Sequence, residues 1–350
     1  MAQNQEKLRV GVAGLSMGMN HLQSYRKNPR VCLRALCDQD EAWLDEVCAD
    51  AAPQKRYTRF EDMLRDPELD ALSLCLPTGF HASAAIAALE AGKHVLCEKP
   101  MAASLSEALA MKDAAERTGK KLMISHQQRF GRDIQAMKEK ADAGFFGEIY
   151  FIRIAWRRPQ GGIPGPMGRR ENGAVYNRNW FNERKSGGGV LRDLGTHLVD
   201  LALYLSGFPA LQSASGTLYR HFYPEGYDPA RYTVDAEDHA NALLKFANGM
   251  NVQLEVNFAA HVENELVLTE IYGTKGGCSR RNGDVCFVET NGNLSTAARL
   301  KTYWGEVKTS QEHFVDAILN DRAVPITPAQ GVEVIRVLDA IYRDAWPEGL

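Results

Sequence analysis

Between residues 187 and 200 the chain reads GGGVLRDLGTHLVD, in which carboxylates and an imidazole recur at helical spacing. A helix that begins near Leu191 places Asp193, His197 and Asp200 at i, i+4 and i+7, all on one face. A carboxylate one turn from an imidazole orients it and favours its charged form, which suits proton transfer near neutral pH. The same spacing also fits a buried histidine satisfied by its own aspartate, an Asp193 that caps the helix, or a metal site, although no third ligand follows at a clear spacing. Asp200 fits better as a support for His197 than as a group that touches substrate. A second residue able to do chemistry, Lys99, stands between an acid and a proline in LCEKP, just after a strand-like run. Its plain reading is a surface lysine paired with Glu98.

A third stretch points to a nucleotide. The first apolar run leads into G11-V-A-G14-L-S16-M17-G18-M-N-H21, close to GxGxxG but with Ser16 for the middle glycine and the last glycine one residue early. It follows a predicted strand, opens a helix and precedes Asp38 at the end of the second strand, the context that a dinucleotide fingerprint needs. Small residues let backbone N–H groups approach a pyrophosphate at a helix N-terminus, and Asp38 can accept hydrogen bonds from ribose hydroxyls. A carboxylate there repels a 2′-phosphate and neither Gln39 nor Asp40 is basic, so the expected cofactor is NAD. The alternatives are a glycine turn that binds nothing and an Asp38 that only caps the next helix. LPTGFH, with Leu76, Pro77, Thr78 and His81, ends a further strand on the same carboxyl edge, where doubly wound folds bind ligands. A plain connection with His81 on the surface is its alternative.

The elements that must position these residues fall into two grammars. From Leu8 to about His126, five β-rich runs alternate with helical ones, the pattern of βαβ units and a parallel sheet covered on both faces. After Arg129, one helix over about 133–143 precedes EIYFIRIAW, HANALLKF, MNVQLEVNFA, ELVLTEIYG and DVCFVET. Asn248–Gly249 between two of these runs predicts a hairpin in which both turn positions need φ > 0. The expected fold is α/β: an N-terminal doubly wound Rossmann domain over 1–127, then an α+β domain over 128–350 with a large open, mainly antiparallel sheet. PQGGIPGPMGRRENG, residues 159–173, reads as a long loop, and TPAQGVEVIRVLDAIYRDAW as a C-terminal helix packed on the body.

At 350 residues with a formal net charge of −3, the chain has the length for two domains and lacks the basic field that nucleic-acid binding requires. No run approaches the ~20 apolar residues of a membrane span and no leader is evident, so the expected location is cytoplasmic. The seven cysteines form no CxxC pair and read as reduced thiols, and no Cys/His cluster has zinc spacing, so no metal is expected.

AGKHVLCEKPMAASLSEA, PTGFHASAAIAALEAGKHV and SGGGVLRDLGTHLVDLALYLSG resemble the glucose–fructose oxidoreductase / inositol dehydrogenase / rhizopine catabolism (Gfo/Idh/MocA) family, and the likeness continues through EIYGTKGG to the last helix. The resemblance implies NAD(P)-dependent oxidation of a secondary hydroxyl on a sugar, glycoside or cyclitol. It implies catalytic roles for Lys99, Asp193 and His197: Lys99 stabilises a developing alkoxide while His197 takes the proton. It also implies a homo-oligomer, a dimer or tetramer, built on the open sheet face. The cofactor residues are then Gly14, Ser16, Met17, Gly18 and Asp38, with Leu76, Pro77, Thr78, His81, Glu98 and Lys99. Around the substrate the expected residues are Lys99, His126 and Arg129, with Trp156, Arg158, Trp180, Asp193 and His197; His126 and Arg129 fit a join between the domains equally well, and Trp156, Arg157, Arg158, Tyr176 and Trp180, which flank the Gly/Pro loop, fit core packing equally well. Two other functions fit the scaffold. One is an NAD-dependent glycosidase working by oxidation and elimination. The other is a nucleotide-sensing regulator, which has no need of the three catalytic residues. The chain departs from the family pattern at Ser16 and in the Gly/Pro insertion before Trp180.

Overall fold

The computed structural model describes residues 7–169, 175–291, 294–300 and 308–346. The described residues form two compact units, one of those up to residue 127 with 308–332 and one of those from 128 to 300 with 333–346. Residues 308–332, expected within the second domain, thus belong to the first unit.

Unit 1 is built on a parallel sheet of β1 (Leu8–Ala13), β2 (Val31–Cys37), β3 (Lys55–Tyr57), β4 (Ala71–Leu74), β5 (His94–Glu98) and β6 (Leu122–Ser125), in the order β3-β2-β1-β4-β5-β6. The order reverses between β1 and β4, the switch point at which doubly wound sheets open a crevice at their carboxyl ends. Val10, Val12, Leu72 and Leu96 are fully buried, so the central strands are apolar on both faces, as a sheet covered by helices on each side requires. Those helices are α1 (Gly18–Lys27), α2 (Glu41–Ala51), α3 (Phe60–Leu64), α4 (His81–Glu90) and α5 (Leu105–Thr118). Five strands were legible in the sequence. The sixth, β3, has only three residues, too few to show a period.

Unit 2 opens with α6 (Arg132–Asp142) and carries an eight-stranded sheet. Its strands are β7 (Ile149–Pro159), β10 (Leu211–Tyr219), β11 (His239–Phe246), β12 (Asn251–Ala260), β13 (Leu266–Gly273), β14 (Gly276–Arg281), β15 (Asp284–Asn291) and β16 (Leu294–Leu300). The order is β10-β11-β12-β7-β13-β14-β15-β16, antiparallel throughout except for the parallel pair β12–β7. The Gly/Pro stretch is not all loop: β8 (Met167–Arg169), within it, pairs antiparallel with β9 (Val175–Asn177). At Asn248–Gly249 only Gly249 has φ > 0, and Phe246 pairs with Met250 across three residues. The two-residue turn with both φ positive is instead Asn282–Gly283, between β14 and β15.

Helix α7 (Thr196–Ser206) is buried on nearly every face, and the last helix, α9 (Pro328–Ala345), sets Ile341 against Gly216 of β10. Between them in sequence lies α8 (Ser310–Leu319), started by a capping box of Thr309 and Glu312. Among the described residues no helix is long and apolar enough to cross a membrane. Just before α6, Arg129 donates from Nε and Nη2 to Asp200 of α7 at 2.9 and 2.5 Å, with its guanidinium over the rings of Tyr204 and Phe208. Both partners of the pair are about 1% exposed. Removing one partner of a buried pair strands the other, so Arg129→Met should lose about 3–5 kcal/mol in urea unfolding, and Arg129→Met/Asp200→Leu should recover most of it. A single variant within about 1 kcal/mol of the parent would show that the pair does not hold α7.

Candidate active site

In unit 1 the carboxyl ends of β1 and β4 converge on Gly14. Its φ of +84° is left-handed, and a Cβ there would lie 2.4 Å from the Cys75 carbonyl oxygen, so only glycine fits. Gly18, the first residue of α1, packs where a Cβ would meet Val12 Cγ1 at 2.9 Å. Ser16 and Met17 lie exposed between them. Asp38 ends the neighbouring strand: its Oδ2 accepts the Leu15 N–H at 2.8 Å and its Oδ1 the Asp40 N–H at 3.0 Å. It is not the helix cap of the alternative reading, because Asp40 caps α2 through the Trp43 N–H. The Trp43 indole N–H in turn donates to the Leu15 carbonyl at 3.3 Å, a brace that the sequence motif does not announce.

These residues fit a dinucleotide. Gly14 leaves no room for a side chain between the strand ends. Asp38, half-buried and already tying down the glycine turn, still has lone pairs for ribose hydroxyls.

Two residues expected at the cofactor turn inward. His81 is 1% exposed, with Nε2 at 2.8 Å from the Leu76 carbonyl and Nδ1 at 2.7 Å from the Pro100 carbonyl. Burial lowers its pKa against the pull of the two carbonyls. It clasps the Leu76–Pro77–Thr78 turn to the segment after Lys99 and is neither a surface residue nor exposed to a ligand.

Glu98 is also buried. It takes up His21 Nε2 at 2.9 Å, and His21 Nδ1 lies 3.1 Å from Ser73 Oγ, which Tyr25 Oη approaches at 2.7 Å. Burial pushes the Glu98 carboxyl up, but the hydrogen bond and charge of His21, with Lys99 and Ser125, outweigh it and hold the pKa at about 2. Its other oxygen accepts the Lys99 backbone N–H at 3.2 Å. Glu98 therefore anchors the Lys99 main chain from within the core, as part of a buried chain whose other members, His21, Ser73 and Tyr25, no sequence motif singled out. Lys99 is half-buried, and the Lys99–Pro100 peptide is cis. His126, at the end of β6, is buried.

In unit 2 the GGG segment leads not directly into an α-helix but into a π turn over Leu191–Gly195, followed by α7. Asp193 lies on the turn and His197 is the second residue of α7, so their spacing crosses a change of helical pitch instead of following an unbroken i, i+4 relation. Asp200, expected to support His197, accepts two bonds from Arg129. Arg129, expected near substrate, is committed inside the unit by the same pair.

His197 is 5% exposed, and its ring centroid lies 6.0 Å from that of Trp156 on β7, tilted by 42°. The Trp156 indole N–H donates to Glu265 at 2.7 Å, and the Arg158 guanidinium lies over the Trp156 ring at 5.2 Å and reaches the same carboxylate at 3.4 Å. Glu265, which no sequence pattern marked, thus bridges Trp156 and Arg158, and the Trp156 ring stands beside His197. Arg157 faces Glu255 at 3.7 Å, Trp180 stacks on Phe181, and Tyr176 of β9 covers Gly168 of β8. A cavity of about 660 Å³ opens among Gln160, Ile163, Met167, Arg178, Tyr223 and Ala259, where neither Asp193 nor His197 lies. Among the described residues no group of three or more His, Cys, Asp or Glu is placed to hold a metal ion.

The chain is similar to known proteins over most of its length. Residues 8–126 match the model of an oxidoreductase family with an NAD-binding Rossmann fold, and residues 134–279 match the GFO/IDH/MocA C-terminal domain. The chain is 28% identical to a D-glucoside 3-dehydrogenase of Escherichia coli, over 98% of this chain and 97% of that one. It is 27% identical to a levoglucosan dehydrogenase of Pseudarthrobacter phenanthrenivorans, over 87% and 86%. Its fold superposes on a levoglucosan dehydrogenase solved in complex with NADH and L-sorbose with a TM-score of 0.85, at 23% identity and covering 98% of each chain.

The anchor at Glu98 has a pH signature. Its pKa in the folded state, about 2, lies below the ordinary 4.5, so its contribution to stability is complete above about pH 4.5 and is lost as the pH falls toward 2. Urea midpoints across that range should fall with pH in the parent protein and fall less steeply in Glu98→Gln, which has no proton to take up. Equal slopes would place the acid sensitivity in other carboxylates.

Proposed function

The chain belongs to the Gfo/Idh/MocA family of NAD-binding oxidoreductases, and from that premise we propose that it oxidises a secondary hydroxyl of a sugar, glycoside or cyclitol, with a pyranoside as the best-supported substrate. The observation that carries the substrate class is the placement of the buried His197 imidazole beside the Trp156 indole, because an aromatic face suits the C–H surface of a sugar ring. The two sequence relatives, a D-glucoside 3-dehydrogenase and a levoglucosan dehydrogenase, support the same class.

Gly14, Ser16, Met17, Gly18 and Asp38 hold the dinucleotide, with Leu76, Pro77 and Thr78 on the same carboxyl edge. When bound, NAD supplies the acceptor for the hydride that leaves the substrate carbon. His197 takes the hydroxyl proton, and Asp193 orients it. The Lys99 ammonium stabilises the negative charge that develops on the oxygen, from a backbone fixed by Glu98 and His81. Trp156 and Arg158 bind the ring. Unit 1 is the cofactor domain, and unit 2 the substrate and oligomerisation domain. Leu243, Gln253, Arg153 and Glu270 lie in register across four strands on the outward side of the large sheet. That row suits a second copy, within a homotetramer.

Reduction of NAD followed at 340 nm over a panel of glucosides, anhydrosugars and inositols tests the reading. Activity should appear with NAD in preference to NADP, and Asp38→Ala should narrow the gap. Lys99→Met and His197→Asn should each lower kcat by ~10²–10³ while NADH still binds. Parental kcat in either variant would remove that residue from the mechanism, and a preference for NADP would overturn the role of Asp38.

A further inference from the structure

The start of the π turn lacks the cap that helix starts ordinarily carry. Residues 187–189 are three glycines with no side chain to offer, yet Val190 and Leu191 are fully buried, so their N–H groups must find acceptors in the protein. Both acceptors come from one residue far away in sequence. The Glu237 carbonyl accepts the Val190 N–H at 3.0 Å, and the Glu237 carboxyl Oε1 accepts the Leu191 N–H at 2.9 Å. The Tyr342 hydroxyl of α9 donates to the same Oε1 at 2.7 Å, and the Arg192 guanidinium covers the Tyr342 ring at 4.3 Å.

The glycines are the counterpart of this carboxyl. A Cβ on Gly189, whose φ is +107°, would fall 2.3 and 2.4 Å from the two Glu237 oxygens, and one on Gly188 would fall 2.4 Å from the Trp180 carbonyl. Glycine at 188 and 189 lets residues 179–183 and Glu237 close on the turn from two sides. Glu237 is 1% exposed, and burial raises its pKa against the donors at Oε1. A neutral and an ionised carboxyl both present the acceptor that Leu191 needs.

We propose that Glu237 is a positioning residue for the oxidation: by taking the Val190 and Leu191 N–H groups it fixes the π turn that carries Asp193 into α7, and so sets where the His197 imidazole stands. The proposal rests on the reading of His197 as proton acceptor. The working feature is the acceptor atom and not the charge.

Glu237→Gln keeps Oε1 and should hold kcat within about threefold of the parent. Glu237→Leu removes the acceptor and should lower kcat by ~10², with the KM for NAD unchanged and the Leu191 amide exchanging faster with solvent. A role in stability alone would shift the unfolding midpoint and leave the kcat of the folded enzyme where it was. Should Glu237→Leu fail to fold, Gly189→Ala tests the same contact by displacing the carboxyl, with the same expected fall in kcat. Parental kcat in Glu237→Leu, or an equal loss in Glu237→Gln, would overturn the proposal. If His197→Asn keeps its kcat, the proton-acceptor reading fails and the catalytic part of the proposal with it. That failure is told apart because Leu191 exchange in Glu237→Leu reports the anchor without reference to turnover.

Discussion

Backbone N–H groups where a strand ends or a helix begins lie outside the regular ladders, and when buried they must still be paired. In this chain three carboxylates do that pairing at the segments assigned to the chemistry. Asp38 takes the N–H of Leu15 in the glycine turn, Glu98 that of Lys99, and Glu237 that of Leu191 at the start of the π turn. Each reaches its segment from within its own unit. The side chains proposed to act are thereby aimed by the main chain beneath them.

The three carboxylates meet different surroundings, and the surroundings decide what each can contribute. Burial without a partner charge is costly. Glu98 meets that cost with His21 and stays ionised to about pH 2. Glu237 has a phenol and an amide as donors, its pKa is raised, and it serves as an acceptor only. Asp38 is half-buried and keeps capacity for further donors, as a group expected to bind ribose must.

Much of the fold was legible because it depends on local periodicity: five of the six parallel strands and the change of grammar near residue 129 follow from apolar runs and their spacing. β3, β10 and β14 escaped because KRY is too short and LQSASGTLY and GGCSRR are too polar to show a strand's apolar face. The NG dipeptides at Asn248–Gly249 and Asn282–Gly283 show the limit of a local rule. Both lie in hairpins, but only Asn282–Gly283 takes both positive φ values. In the candidate site, motifs located Gly14, Asp38, Lys99, Asp193 and His197, and missed His21, Glu237 and Glu265. Each of the missed residues acts on a segment tens of residues away in sequence, and spacing cannot report a contact across the chain. For the same reason Arg129 and Asp200 were given to the ligand and the imidazole, when the buried pair they form with each other determines their place.

Transfer of deuterium tests the central claim most directly. A methyl glucoside deuterated at every ring carbon, incubated with the enzyme and NAD, should give one NADH per substrate oxidised, with the label on the nicotinamide ring and a slower rate than the unlabelled sugar. Unlabelled NADH, or release of methanol with no net NADH, would contradict hydride transfer from a sugar carbon as the reaction this chain completes.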